Sequence, residues 1–449
     1  MNKQNFSEIG NEMYELICKL FPIFRSITGD GVRDTLKIIK EIIPIEIFEI
    51  ESKTKVFDWE IPKEWNIKDA WIKDASGKKI IDIQKSNLHI VSYSIPIHKK
   101  IKFDELRKHL HYLKEQPNMI PYKTSYYKET WGFCLTYNQY KTLKNEEYEI
   151  FINSKLDHGS LTYGEFFIKG KKDDEVLITC YVCHPSMCND NLSGISLVTY
   201  LAKKISSLET RYSYRFLFIP ETIGAITWLS LNENKTSQIK QGLVATCLGD
   251  GGISTYKKTK SGDSLIDKIV IKVLKESNSP FNVLDFFPSG SDERQFSSPG
   301  FDLSVGSLMR TPYGHFEEYH TSGDDLNFVK PEFLQDTFEK YYKIIELLEN
   351  ENSISNEKIL PLEKNENLSE KYISLNPKCE PQLGKRGLYR TIGGQNVSNI
   401  DEMSIFWLMC FSDGNHSLKN ISNISGIDFN KLKNTAKVLC EKNLLKSIN

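Results

Sequence analysis

No apolar run in this chain approaches the roughly 18–20 residues that span a bilayer, which excludes a membrane-crossing helix. The N-terminal MNKQNFSEIGNEMYELICKLFPIF has acids scattered through it and no uninterrupted hydrophobic core, so a cleavable signal peptide is not expected. The nine cysteines are odd in number and irregular in spacing, which argues for reduced thiols and against a disulfide framework. Cys183 and Cys188 flank His184, but the chain has no second Cys pair at zinc-finger spacing, and they are not read as thiolate ligands. A cytoplasmic protein is the expectation. Charge of one sign is lacking as well: a net charge of −1 speaks against both a polyanion binder and a membrane-surface protein. Internal repeats and low-complexity tracts are absent. What remains is a 449-residue chain, 39% hydrophobic and 26% charged, with material for a sizeable core and two or three domains.

The apolar run 176–183 reads as a buried central strand, and the rest of the chain is arranged around its C-terminal end. The run ends in His184-Pro185, passes through the turn-rich NDNLSG with Asp190, and enters an amphipathic helix over 195–205. Two further continuous apolar runs, 214–220 and 243–250, lack alternation, as strands covered on both faces do. Helical patterns at 7–43, 263–277 and 331–350 complete an α/β reading: a three-layer α/β/α core with a mostly parallel or mixed sheet. Between them, 46–125 is strand-like, with a hairpin turn at Ala75-Ser76-Gly77-Lys78, a further strand at LHIVSYSIP and a short helix at FDELRKHLHYL. The expected organisation is a hydrolase-like domain over 1–45 and 126–350, an inserted β-rich subdomain over 46–125, a polar linker over 351–370, and a winged-helix-like module over 371–449. In that module Gly426 marks the turn before the third helix and Asp428 is placed to cap it.

Polar residues recur at the strand ends. Glu221 comes just after the strand 214–220, Asp250 ends the next strand in CLGDGG, and His320 and Asp324 lie in EEYHTSGDD. Imidazole with carboxylate suits zinc, and the C-terminal edge of an open α/β sheet is where such sites gather. A carboxylate beside the metal points to metal-assisted hydrolysis, with Glu221 as the general base.

In order and spacing these residues resemble zinc exopeptidases of the leucyl aminopeptidase, glutamate carboxypeptidase and glutaminyl cyclase type. More narrowly, the chain resembles bacterial proteins with an aminopeptidase-like domain, an inserted β-domain and a C-terminal winged helix, mostly without assigned function. The resemblance implies that His184, Asp190, Asp250 and His320 are metal ligands. It implies that Glu221, in Glu221-Thr222-Ile223-Gly224, is the catalytic base. Through GSDERQFSSPGF it implies that Asp292, Glu293 and Arg294 line the substrate pocket, with Tyr319 and Asp324 from the late motif. Two positions depart from the family pattern: His-x-Asp has become His184-Pro185-Ser186, and the second Glu of the Glu pair is Thr222. A hydroxyl does not replace a carboxylate as a strong zinc ligand, so one zinc ion is expected rather than two.

The first functional reading is a zinc-dependent hydrolase of amide bonds in a small peptide or amino-acyl conjugate, with a water beside the zinc activated by Glu221. The alternative is a degenerate peptidase fold acting as a binding or regulatory protein through the winged helix. Residues 401–449 carry six Lys and five acids, a balance that does not mark a DNA reader, although Lys431, Lys433, Lys437 and Lys442 share the third helix. Nucleic acid is therefore not the expected partner, and the module is expected to pack on the catalytic domain or mediate self-association.

Overall fold

The computed structural model describes residues 8–350, 370–388 and 402–448. Its centre is an eight-stranded sheet: β1 (Glu46–Glu51), β2 (Ser160–Ile168), β3 (Glu175–Tyr181), β4 (Ser213–Ile219), β5 (Ile239–Ala245), β6 (Ser254–Lys257), β7 (Phe281–Leu284) and β8 (Val305–Met309). The spatial order is β1-β2-β4-β3-β5-β8-β6-β7. The inner strands β4, β3, β5 and β8 are mutually parallel, and antiparallel strands close both sides. Every residue of β3 and β4 is buried, which is why their sequences run apolar without alternation. The charges they do carry are paired: Arg215 makes two bonds of 2.7 Å to Glu175 and also binds Glu165.

One face of the sheet is covered by helices α1 (Ile9–Leu20), α2 (Asp30–Lys40), α3 (Ser193–Ile205), α5 (Leu265–Glu276) and α6 (Pro331–Glu349), all contributing to a single core. The opposite face takes α4 (Ile223–Leu231), whose sequence IGAITWLSL is apolar on all sides and buried from Ile223 to Leu229. The inserted region shares that face. Trp65, Ile72, Tyr93 and Ile150 belong to the same core as Leu177, Tyr181, Leu217 and Trp228. The second outer layer is therefore part helix and part inserted sheet.

Strand pairing moves the ends of the insert. Glu46–Glu51 lies in the large sheet, antiparallel to Ser160–Ile168, while Glu147–Asp157 sits inside the small antiparallel sheet, between Glu64–Lys73 and Ile97–Lys102. The excursion thus runs from 52 to 159, where the sequence suggested 46–125. The reason is the ladder itself: alternating strands look alike locally, and only their partners tell which sheet they join. The segment LHIVSYSIP is not a strand; it is a short 3₁₀ turn (Asn87–His89) leading into irregular chain with buried Ile90, Val91 and Tyr93. The predicted hairpin holds, with Gly77 at φ +83° and Asp74 accepting the Ser76 and Lys78 amides.

The C-terminal module has helices Glu402–Phe411, Leu418–Ser425 and Phe429–Glu441 and a small sheet with Lys371–Ser374 between Asp413–Ser417 and Leu445–Ser447. Gly426 takes φ +68° and the Asp428 carboxylate accepts the Lys431 amide at 3.0 Å, as the sequence suggested. The expected linker lies outside the described residues except for Glu370, which pairs with Lys433. Residues 376–386 strap the module to the core and the insert. Gly300 donates to the Pro377 carbonyl, Cys379 to Ser298, and Trp59 to the Glu380 carbonyl, while Asp58 holds Lys385 and Arg386.

Candidate metal centre

His184 leaves the C-terminal end of β3, and the turn beyond it is tied down from several sides. Asn189 spans the gap to the end of β5, donating to Asp250 at 2.9 Å and accepting from the Gly249 amide at 2.9 Å. Asn191 reaches the Ala245 carbonyl at 2.9 Å. Asp324 accepts the Asn189 and Asp190 amides at 2.6 and 2.9 Å. Buried Arg25 donates to the His184 carbonyl at 3.0 Å. The result is that Asp190 points at the two histidines with little freedom.

The side-chain ligand atoms of His184, Asp190 and His320 all lie within 4.8 Å of one another. His320 Nε2 is 3.0 Å from Asp190 Oδ2, an oxygen that is buried and has no well-aligned hydrogen-bond donor. The other Asp190 oxygen accepts from the Tyr181 hydroxyl, itself 2.6 Å from Thr246 Oγ1. Glu221 Oε2 stands 3.7 Å from His184 Nε2. A buried carboxylate oxygen facing two imidazole nitrogens fits a tetrahedral cation with an open position.

The electrostatics agree with that donor set. Burial presses His184 down to about 4, so it is neutral and able to ligate near neutral pH. Burial alone would raise Asp190, but His184 and His320 outweigh it and hold the carboxylate at about 2. Glu221 is lifted well above the ordinary carboxylate range by burial, with Asp292 and Asp190 adding to it. Non-glycine residues at positive φ gather here: Ser186 at 46°, Thr222 at 63°, Cys247 at 54° and His320 at 54°. Each such conformation costs on the order of 1–3 kcal/mol and persists where the surroundings over-determine it. At Thr222 the surroundings are explicit. Ile223 donates to the Glu221 carbonyl in a γ-turn, and Asp292 accepts the Thr222 amide at 2.7 Å.

Of the residues expected from the sequence, His184, Asp190 and His320 converge, with Glu221 beside them. Asp250 does not join them. Its oxygens accept from Asn189, the Gly252 amide and Thr311, which tie it to the turn. Glu293 is fully buried and bound to Lys257 and Tyr313. Asp292 is buried on the Thr222 amide, and burial pushes it up to about 7. Arg294 pairs with Glu380 of the strap at 2.7 Å and lies over Phe406, 4.6 Å from its ring centroid. Asp324 supports the ligand turn, and Tyr319 stacks on His320 at 3.9 Å. Sequence reasoning missed Arg25, Tyr122, Tyr181 and Thr246. Tyr181 directly precedes the site in its strand, but nothing marked Tyr122, which arrives from the insert.

A mixed sheet with a parallel centre, helices on its faces and this His–Asp–His cluster at the strand ends defines an aminopeptidase-like protein. A zinc aminopeptidase from Bacillus subtilis superposes with TM-score 0.57 over 77% of this chain and 96% of its own, at 11% identity. A peptidase M28 precursor from Shewanella amazonensis gives 0.53 over 80% and 98%, at 13% identity. Residues 14–351 match the family described as domain of unknown function DUF4910, and the chain belongs to that family. Residues 370–447 match a winged helix-turn-helix family. A Clostridium acetobutylicum protein, provisionally named for polysaccharide biosynthesis and an aminopeptidase-like domain, is 54% identical over 99% of this chain and 98% of its own. A crystal structure from the same organism, provisionally described as a peptidase, superposes with TM-score 0.76 over 99% and 98%, at 53% identity.

Proposed function

We propose that this chain is a mononuclear zinc hydrolase of amide bonds, acting on a small peptide or an amino-acyl conjugate. The observation that carries the reading is the convergence of His184, Asp190 and His320 around a buried carboxylate oxygen lacking a well-aligned donor, with Glu221 3.7 Å from His184. One feature supports one ion rather than two: Thr222 stands where the resemblance to zinc exopeptidases implies a second Glu. Zinc, when bound, supplies a Lewis acid and lowers the pKa of a coordinated water. Glu221 is the proton acceptor at its carboxylate and returns that proton to the leaving nitrogen. A nearby cation opposes the upward push of burial on Glu221 and favours its basic form. Tyr122 and Tyr181 pack on the buried His184 ring, and Tyr319 stacks on the His320 ring, whose side chain keeps 27% of its surface exposed. The name of the Clostridium relative makes N-acyl amino sugars a class worth including among the substrates tested. The winged helix is read as an architectural module, since its strap is bonded to both core and insert.

The test is metal content of the purified protein together with hydrolysis of a panel of aminoacyl anilides, dipeptides and N-acyl amino sugars. One zinc per chain is expected. Glu221→Gln should retain zinc and lose at least about 100-fold in rate, the size of a general-base effect. Wild-type protein that binds no zinc, or a Glu221→Gln variant that releases it while still turning over, overturns the assignment.

A further inference from the structure

The insert reaches the proposed metal ligands through the Tyr122 ring. Residues 116–124 leave it and run beside 317–322, the loop that carries His320, with an antiparallel bridge between Pro121 and Thr321. Tyr122 donates its amide to the His320 carbonyl at 2.7 Å, Ser322 donates to the Ile120 carbonyl at 2.9 Å, and Ile120 donates to Ser322 Oγ at 3.0 Å. Gln116 adds a bond of 2.7 Å to the Glu317 carbonyl. These bonds fix the loop around His320, which sits at φ +54°.

The Tyr122 ring, 5% exposed, meets both imidazoles at once. Its centroid is 5.3 Å from that of His184 with the planes at 66°, and 5.3 Å from that of His320 at 87°. The two imidazoles are themselves 5.5 Å apart and inclined by 38°. Edge-to-face contacts of this kind favour a defined ring angle beyond what area burial alone requires. A metal-ligating histidine is usually oriented by donating its second ring N–H to a carboxylate or carbonyl. Among the described residues, His184 Nδ1 meets only the weak partner Cys183 Sγ, at 3.8 Å, so ring packing is left to set its angle. The Tyr122 hydroxyl is anchored on Tyr126 at 2.8 Å.

We propose that Tyr122 is a positioning residue of the metal centre, a wedge through which the insert sets the angle between the two ligating imidazoles. The inference rests on the proposed zinc site. It is tested on the full-length protein by zinc competition with a chromophoric chelator and by the visible spectrum of the cobalt(II)-substituted protein. Tyr122→Leu should weaken zinc binding 10–100-fold, the usual size for groups that orient ligands, and should alter the cobalt spectrum. Tyr122→Phe, which keeps the ring, should restore both to within about twofold. Should the leucine variant not fold, Tyr122→Met gives the same two readouts. A folded Leu or Met variant with wild-type affinity and spectrum overturns the wedge. So does a Phe variant as weak as Leu, which would transfer the role to the hydroxyl. Wild-type protein that binds neither zinc nor cobalt instead removes the metal reading itself.

Discussion

Asp324 shows how a single carboxylate can shape a candidate metal site by holding backbone amides. It lies on the His320 loop, yet its two oxygens accept the amides of Asn189 and Asp190, and its own carbonyl accepts the Cys188 amide at 3.0 Å. Burial pushes its carboxyl up to about 8, with Asp190 adding and the two amides opposing. The cost of holding it there is offset only while the turn keeps both amides aimed at it. Asp324→Asn would turn a donor NH₂ toward one of those amides and leave a buried N–H without an acceptor, at a cost of about 1–3 kcal/mol. The expected outcome is a drop of that size in urea-denaturation stability together with weaker zinc binding, because the amide released belongs to the ligand turn. Unchanged stability and unchanged affinity would return Asp324 to an incidental role.

At the scale of elements, the site depends on how closely α3 approaches the sheet. Gly194, in its first turn, lies so near β5 that a Cβ would overlap the Ala245 carbonyl oxygen and the Asn191 side chain. Both of those groups belong to the bond that fixes the ligand turn. Gly194→Ala must therefore push the helix away from the strand end, and overpacking of this kind costs about 1–3 kcal/mol. Thermal unfolding should show the loss, and zinc affinity should fall with it. Gly384, in the strap, has nothing within 4 Å of a built Cβ, and Gly384→Ala is the matched control expected to be neutral. Equal melting temperatures for the two variants would contradict the close approach.

Across the whole molecule, core, insert and C-terminal module meet at the strap, and Asp58 is where its cations gather. Its carboxylate binds Arg386 at 2.5 and 3.0 Å, Lys385 at 2.8 Å and the Gln382 amide at 2.8 Å. Burial alone would raise this carboxyl; Arg386, Lys385 and the amide hold it below the ordinary range. A group whose folded pKa is depressed stabilises fully above its unfolded value, about 3.9, and loses that contribution as pH falls through the folded value. Asp58→Asn should therefore lower stability by about 1–2 kcal/mol at pH 7, a gap that shrinks below roughly pH 4. Urea midpoints of wild type and variant between pH 3 and 7 measure it; a gap that widens toward acid refutes the strap pairing. The module is thus more than a passenger on a linker. Phe286 of the core lies in the module's own apolar cluster, 5.9 Å from Phe411.

Local pattern alone determined much of this protein. The apolar runs of β3, β4 and β5, the amphipathic faces of α5 and α6, and the Gly426 and Asp428 signals are set by residues within a turn or two, so they were legible in the chain. His184, Asp190 and His320 stood out as candidates in the chain, and the fold brings their ligand atoms within 4.8 Å of one another. What an acidic or basic side chain does there was not legible. Asp250, Glu293 and Arg294 stand in family-like positions and bond Thr311, Lys257 and Glu380, partners 61, 36 and 86 residues away along the chain. Strand membership at the ends of the insert and the arrival of Tyr122 between the imidazoles were decided the same way. A charge or a ring is committed by whichever neighbour reaches it in three dimensions, and that neighbour is chosen by packing between distant segments, which leaves no trace in local sequence.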